Sequence, residues 1–145
     1  MSTVKQIVVN LQKVPLFQNL NNRQLERLAK RFIERSFPAG QEIVTQGQGG
    51  IGFFIITAGK AEAIRTRSDG ERVVVNTFGP TDFFGELALL DEGLRTATVV
   101  ATEDTTCLIL TRWDFQMELK QDAEMGLVIL QELAKRFRVA LDALQ

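Results

Sequence analysis

Between residues 33 and 111 the chain repeatedly runs a few β-branched or apolar residues and then breaks on a turn. The breaks fall at Pro38-Ala39-Gly40, across 46–50, at Ala58-Gly59, at Ser68-Asp69-Gly70 and at Gly79-Pro80. Gly and Pro at such intervals interrupt helix and strand alike, so no element here can be long. The runs between them, 42–45, 52–57, 60–65, 72–78, 96–101 and 105–111, have the length and composition of strands. Many short strands at this spacing predict an antiparallel sandwich or barrel, closed as a jelly roll. Asp69-Gly70 predicts a hairpin turn.

Both ends read differently. Val4, Ile7, Val8 and Leu11 recur at helical spacing behind Ser2 or Thr3 as caps. Pro15 closes that segment, and a second helix is expected from Asn21 or Asn22 with Leu25, Leu28 and Phe32 on its buried face. After residue 111, Trp113, Phe115 and Leu119 suggest a short helix, and Asp122 can cap a longer one. Leu127, Leu130, Ala134, Phe137, Leu141 and Leu144 then follow a 3-4-3-4-3 seam, which Ile129, Leu133 and Ala140 widen. Such a seam either packs back on the barrel and the N-terminal helices or pairs with its copy in a homodimer. Glu132, Lys135, Arg136 and Arg138 read most simply as a solvated face. The expected architecture is mainly β with flanking α: an antiparallel jelly-roll barrel over 33–111, helices over 1–32 and helices over 112–145, in one domain of 145 residues.

Composition removes several functions. Seventeen basic against eighteen acidic residues leave no electrostatic footprint for nucleic acid or for an anionic membrane. The chain has no histidine, which excludes Ser-His and Cys-His catalysis and the His-rich metal sites of cupin barrels. The single cysteine, Cys107, lies in an apolar run and reads as an inert buried thiol. No apolar run approaches the roughly 20 residues of a membrane span, and no cleavable signal precedes the fold. A cytoplasmic, non-catalytic, metal-free protein is the expectation.

Chemistry concentrates in 84–99. Glu86 and Arg95 stand nine residues apart, separated by a helix-competent run, 86–90, and a Gly-containing turn. A helix start offers N–H groups to an anion and Arg offers a fork of donors to the same anion. A carboxylate accepts from a sugar hydroxyl.

Phe84-Gly85-Glu86-Leu87-Ala88-Leu89, followed by Arg95-Thr96-Ala97-Thr98-Val99, resembles the phosphate-binding cassette of the cyclic nucleotide-binding domain family. Gly47 and Gly59 stand where that family keeps glycines at strand corners, and Leu94 stands where it frequently has proline. The resemblance implies cAMP or cGMP as ligand, with no further cofactor. It assigns the phosphate to Arg95, the ribose 2′-hydroxyl to Glu86, close backbone approach to Gly85, and N–H groups aimed at the phosphate or ribose to Leu87 and Ala88. Ala97 is expected beside them. Thr96 can bond a syn guanine, bond the phosphate, or serve only as a strand residue, so the nucleotide stays open. The strand 72–78 is expected to line one wall, with Val74 as the contact. Phe137 or Arg136 on the last helix is expected to cap the base. The function implied is a sensor whose ligand moves the C-terminal helix. The alternatives are a ligand-free interaction module of the same fold, a cupin-like enzyme, and a transcription factor of the catabolite activator kind. The last is disfavoured because no helix-turn-helix follows Gln145, so no DNA partner is expected.

Overall fold

The computed structural model describes residues 2–49, 52–91 and 93–145. Gly50, which ends the expected turn at 46–50, and Glu92, within 84–99, lie outside the described residues. The chain divides into two compact units, one over 32–113 and one formed by 2–31 with 114–145.

The first unit contains β1 (Ile33–Phe37), β2 (Glu42–Val44), β3 (Gly52–Ala58), β4 (Ala61–Thr66), β5 (Arg72–Phe78), β6 (Phe83–Phe84), β7 (Thr98–Ala101) and β8 (Thr105–Thr111). They form two four-stranded antiparallel sheets, ordered β1-β8-β3-β6 and β2-β7-β4-β5. No ladder joins these sheets into a closed barrel among the described residues; the body is a jelly-roll-like pair of sheets. Six strands match the expected runs. β1 falls outside those runs because four of its five residues are exposed, which leaves no alternating apolar pattern. β6 is only two residues long, too short for periodicity to register. β7 begins at Thr98, so Thr96 and Ala97 precede it rather than lie within it. The expected hairpin is present, with Thr66 opposite Arg72 across the turn.

The core lies between the sheets. Phe37, Phe54, Ile56, Cys107 and Ile109 from one sheet meet Ala61, Ala63, Val99 and Ala101 from the other. Small residues on one side accept large ones on the other, and the inward positions alternate along each strand. Burial pushes the Cys107 thiol up to about 12, which keeps it a protonated core residue. Gly59 turns β3 into β4 at φ +94°, and a Cβ there would lie 2.4 Å from the Asp104 carbonyl oxygen. Only glycine meets both conditions.

The second unit holds α1 (Val4–Gln12), α2 (Asn22–Ala29), nearly all of α3 (Arg112–Gln121), and α4 (Ala123–Ala143). Thr3 and Asn21 cap α1 and α2 reciprocally with Gln6 and Gln24. Phe17 packs on Phe115 with ring centroids 5.9 Å apart. Arg31 binds Glu118 at 2.8 Å and Asp114 at 3.1 Å, while Arg27 reaches Glu118 and Asp122. Phe32 does not belong to the buried face of α2. It lies past the end of that helix, in the first unit, edge-on to Phe53 at 6.1 Å.

The seam of α4 requires a correction. Leu127, Leu130, Phe137 and Leu144 are 55%, 63%, 64% and 84% exposed. The buried residues of α4 are Met125, Ile129 and Glu132, which lie on the far side of the helix at 3.6 residues per turn. The widest apolar stripe is therefore the uncovered one.

Candidate functional site

Arg95 is the centre of the 84–99 segment. Its backbone N–H donates to the Gln48 carbonyl at 2.8 Å, and its own carbonyl accepts from the Gly47 N–H at 2.9 Å. Its Nη2 donates to the Gly52 carbonyl at 2.8 Å. The guanidinium carbon sits 5.9 Å from the centroid of Phe54, which stacks on Phe84 at 4.9 Å with a 5° interplanar angle. The turn at 47–48 thus holds the Arg95 backbone, while the Gly52 carbonyl and the Phe54 ring hold its side chain.

Gly85 makes this position accessible. Its φ is +85°, and a Cβ there would lie 2.5 Å from Arg95 Nη1. The missing side chain is what lets the guanidinium lie against the turn. Beyond Gly85 the chain forms one 3₁₀ turn, Glu86–Leu89, shorter than the expected 86–90 helix. The Ala88 N–H donates to the Gly85 carbonyl at 3.1 Å, so it is not the free donor expected from the sequence.

Electrostatics single out Arg95. No carboxylate pairs with it among the described residues, and its buried Nε has no partner. Desolvation by burial lowers its pKa. Burying a cation without a counter-ion costs free energy unless an anion arrives. Glu86, half-buried nearby in sequence, makes no hydrogen bond or ion pair among the described residues.

Both residues face a cavity of about 580 Å³. Seven of the expected site residues line it together: Gly85, Glu86, Leu87, Ala88, Arg95, Thr96 and Ala97. Val74 does not. Its place is taken by Val75, with Asn76 and Phe78 from the same strand. The cause is a register slip: Ala63 pairs with Asn76 but Ile64 with Val74, leaving Val75 unpaired. Such a bulge re-aims side chains, and nothing in the period of a Val-Val-Val run announces it. Phe137, the expected cap, is on α4 in the other unit and is exposed there. Arg65 and Asn76 were missed; Arg65 donates from Nε to the Thr96 carbonyl at 3.3 Å. Their signal was weak because a polar residue on a strand is ordinarily a solvated one.

At the glycine turn the cavity brings the uncompensated Arg95 guanidinium and the Glu86 carboxylate to one lining, the groups that a small anionic ligand with a hydroxyl would require. The comparisons specify the family. The model of the cyclic nucleotide-binding domain matches residues 34–122. The cyclic AMP receptor protein of Thermus thermophilus is 34% identical over 126 residues, covering 87% of this chain. The chain spans 58% of that relative's length. The N-terminal domain of a transcriptional regulator from Streptomyces coelicolor superposes with a TM-score of 0.85 at 32% identity, covering 94% of this chain and 95% of that one. The regulatory domain of Toxoplasma gondii PKA, solved with cAMP, gives 0.73 at 30% identity over 83% of this chain and 46% of its own. The chain belongs to the cyclic nucleotide-binding domain family. Among the described residues no helix is long and apolar enough to cross a membrane.

Proposed function

We propose that this chain is a non-catalytic sensor that binds a cyclic nucleotide, cAMP or cGMP, in the cavity beneath Gly85 and Arg95. The observation that carries the proposal is the half-buried Arg95 guanidinium, held from behind and unpaired among the described residues. A cyclic phosphodiester supplies one negative charge and two exocyclic oxygens, which a planar guanidinium meets bidentately. Glu86 accepts from the ribose 2′-hydroxyl, and Val75 and Phe78 provide apolar surface to the base. The ligand undergoes no reaction; binding is the signal.

Output is assigned to α4. Its last buried residue is Glu132, and Phe137, Val139, Leu141 and Leu144 beyond it are exposed. A ligand that binds better with α4 in one position shifts it there, by no more than its differential affinity for the two positions. The exposed seam supports a homodimer through α4.

Titration calorimetry with cAMP and cGMP in parallel tests the ligand assignment. Saturable binding of at least one is expected. Absence of binding to both at millimolar concentration overturns the proposal.

A further inference from the structure

β1 carries a charge on the face that should be apolar. Ile33, Arg35 and Phe37 alternate along the strand and stand opposite Ile109, Cys107 and Thr105 of β8. Residues directly opposite in an antiparallel pair share a face, so Arg35 stands on the same side as the fully buried Cys107. Ile33 is 52% exposed on that side although its partner Ile109 is buried. The reason is topological. β1 and β2 each end their sheet, and no ladder joins them among the described residues, so the core is uncovered between them.

That opening is a second cavity, of about 300 Å³. Of its lining residues only Val44 and Arg95 also line the first. Phe37, Ile43, Phe54 and Ile109 give it an apolar floor. Two guanidiniums line it, those of Arg35 and Arg95, and no carboxylate does among the described residues. Arg35 is exposed, makes no ion pair among the described residues, and holds its guanidinium carbon 5.6 Å from the centroid of Phe37. An inward charge on an edge strand can serve only to prevent edge pairing. That role requires neither an open apolar floor nor a second cation in the same cavity.

Apolar surface left in water and cations left without a counter-ion both cost free energy. One molecule with an anionic head and an apolar tail relieves both. The volume lies at the small end of ligand cavities, roughly 300–1,000 Å³, which suits an acyl chain better than a nucleotide. We propose that the cleft between β1 and β2 is a second ligand site, for a medium-chain monocarboxylate whose head meets Arg35 at the mouth and whose tail covers Phe54 and Ile109. The proposal does not rest on the cyclic nucleotide reading, because these contacts lie outside the first cavity.

The test titrates the intact chain with octanoate and follows its assigned methyl resonances by NMR. Ile33, Ile43 and Ile109 line only this cavity, while Leu87 and Leu94 line only the first. Saturable movement of the three isoleucine methyls is expected at millimolar octanoate, with Leu87 and Leu94 unmoved. Hexanoate binds about tenfold more weakly, because two methylenes leave the apolar floor. Octan-1-ol keeps the tail without the charge and binds at least about threefold more weakly than octanoate. Arg35→Gln weakens octanoate by about threefold, the scale of an exposed ion pair, and leaves the melting temperature and the cyclic nucleotide titration as in wild type. Ile33→Glu places a repelling carboxylate at the mouth and acts in the same direction. Isoleucine methyls that do not move, movement at Leu87 and Leu94 instead, an octanol affinity equal to that of octanoate, or an octanoate affinity unchanged in either variant overturns the proposal. If neither cAMP nor cGMP binds while octanoate moves the isoleucines, the cyclic nucleotide reading fails and this one stands.

Discussion

At the scale of single residues, Arg95 combines two properties that rarely coexist. It is buried enough for desolvation to lower its pKa, yet no carboxylate compensates it among the described residues. Such a group costs the empty protein stability and rewards an anion. Replacing it with lysine keeps the charge and loses the fork. At about 1.5–3 kcal/mol for a charge-assisted hydrogen bond, Arg95→Lys weakens nucleotide binding by about tenfold or more. Unchanged affinity by calorimetry removes Arg95 from the site. Gly85→Ala acts on both properties. A φ of +85° strains an L side chain by about 1–2 kcal/mol, and the new Cβ displaces Arg95 Nη1. The variant is expected to melt several degrees lower and to bind more weakly. A melt and an affinity both equal to wild type would contradict the geometry described for the turn.

At the scale of elements, the α3–α4 junction is held by charge. Asp122 caps α4 by accepting from the Met125 N–H at 3.1 Å, and it also meets Gln24 and Arg27 of α2. The Gln24 hydrogen bond is the largest cause holding its carboxyl below the ordinary value of 3.8, followed by the backbone bond from Met125; Arg27 contributes too. Because the folded pKa is the lower one, the stabilisation is complete above the unfolded value and is lost as pH falls through the folded one. Helical content followed by circular dichroism is therefore expected to fall with acid below about pH 4. Asn also caps helices well, so Asp122→Asn preserves the cap and flattens that acid dependence. An identical acid profile in the variant would show that other carboxylates govern it. The strands behave differently. Edge strands such as β5 tolerate an unpaired residue, and the slip at Val75 decides which side chains reach the cavity.

For the whole molecule, the exposed seam of α4 sets the question of assembly. Leu127, Leu130, Phe137, Leu141 and Leu144 are all exposed, a larger apolar stripe than a lone helix ordinarily leaves in water. Sedimentation is expected to give a dimer, and Leu130→Glu with Phe137→Glu is expected to give a monomer. A wild-type monomer at high micromolar concentration, with and without nucleotide, ends the homodimer assignment. The relatives frame this scale as well: the chain spans little more than half of the Thermus receptor but nearly the whole of the Streptomyces N-terminal domain.

The residue types of the site were legible from the sequence because a glycine turn, a carboxylate and an arginine at fixed separation are local chemistry. Six of eight strands, three helix caps and the 84–99 segment follow from short-range rules of the same kind. What reached beyond local spacing was decided elsewhere. Hydrogen bonds between strands distant in the chain left two sheets without a closing ladder and let Val75 displace Val74. Packing buried Met125, Ile129 and Glu132 and left the stronger seam outside. Whether Arg95 found a counter-ion was also a tertiary outcome. An apolar or charged pattern states what a segment can bury or bind; only the assembled chain settles which face is covered and which charge is left waiting.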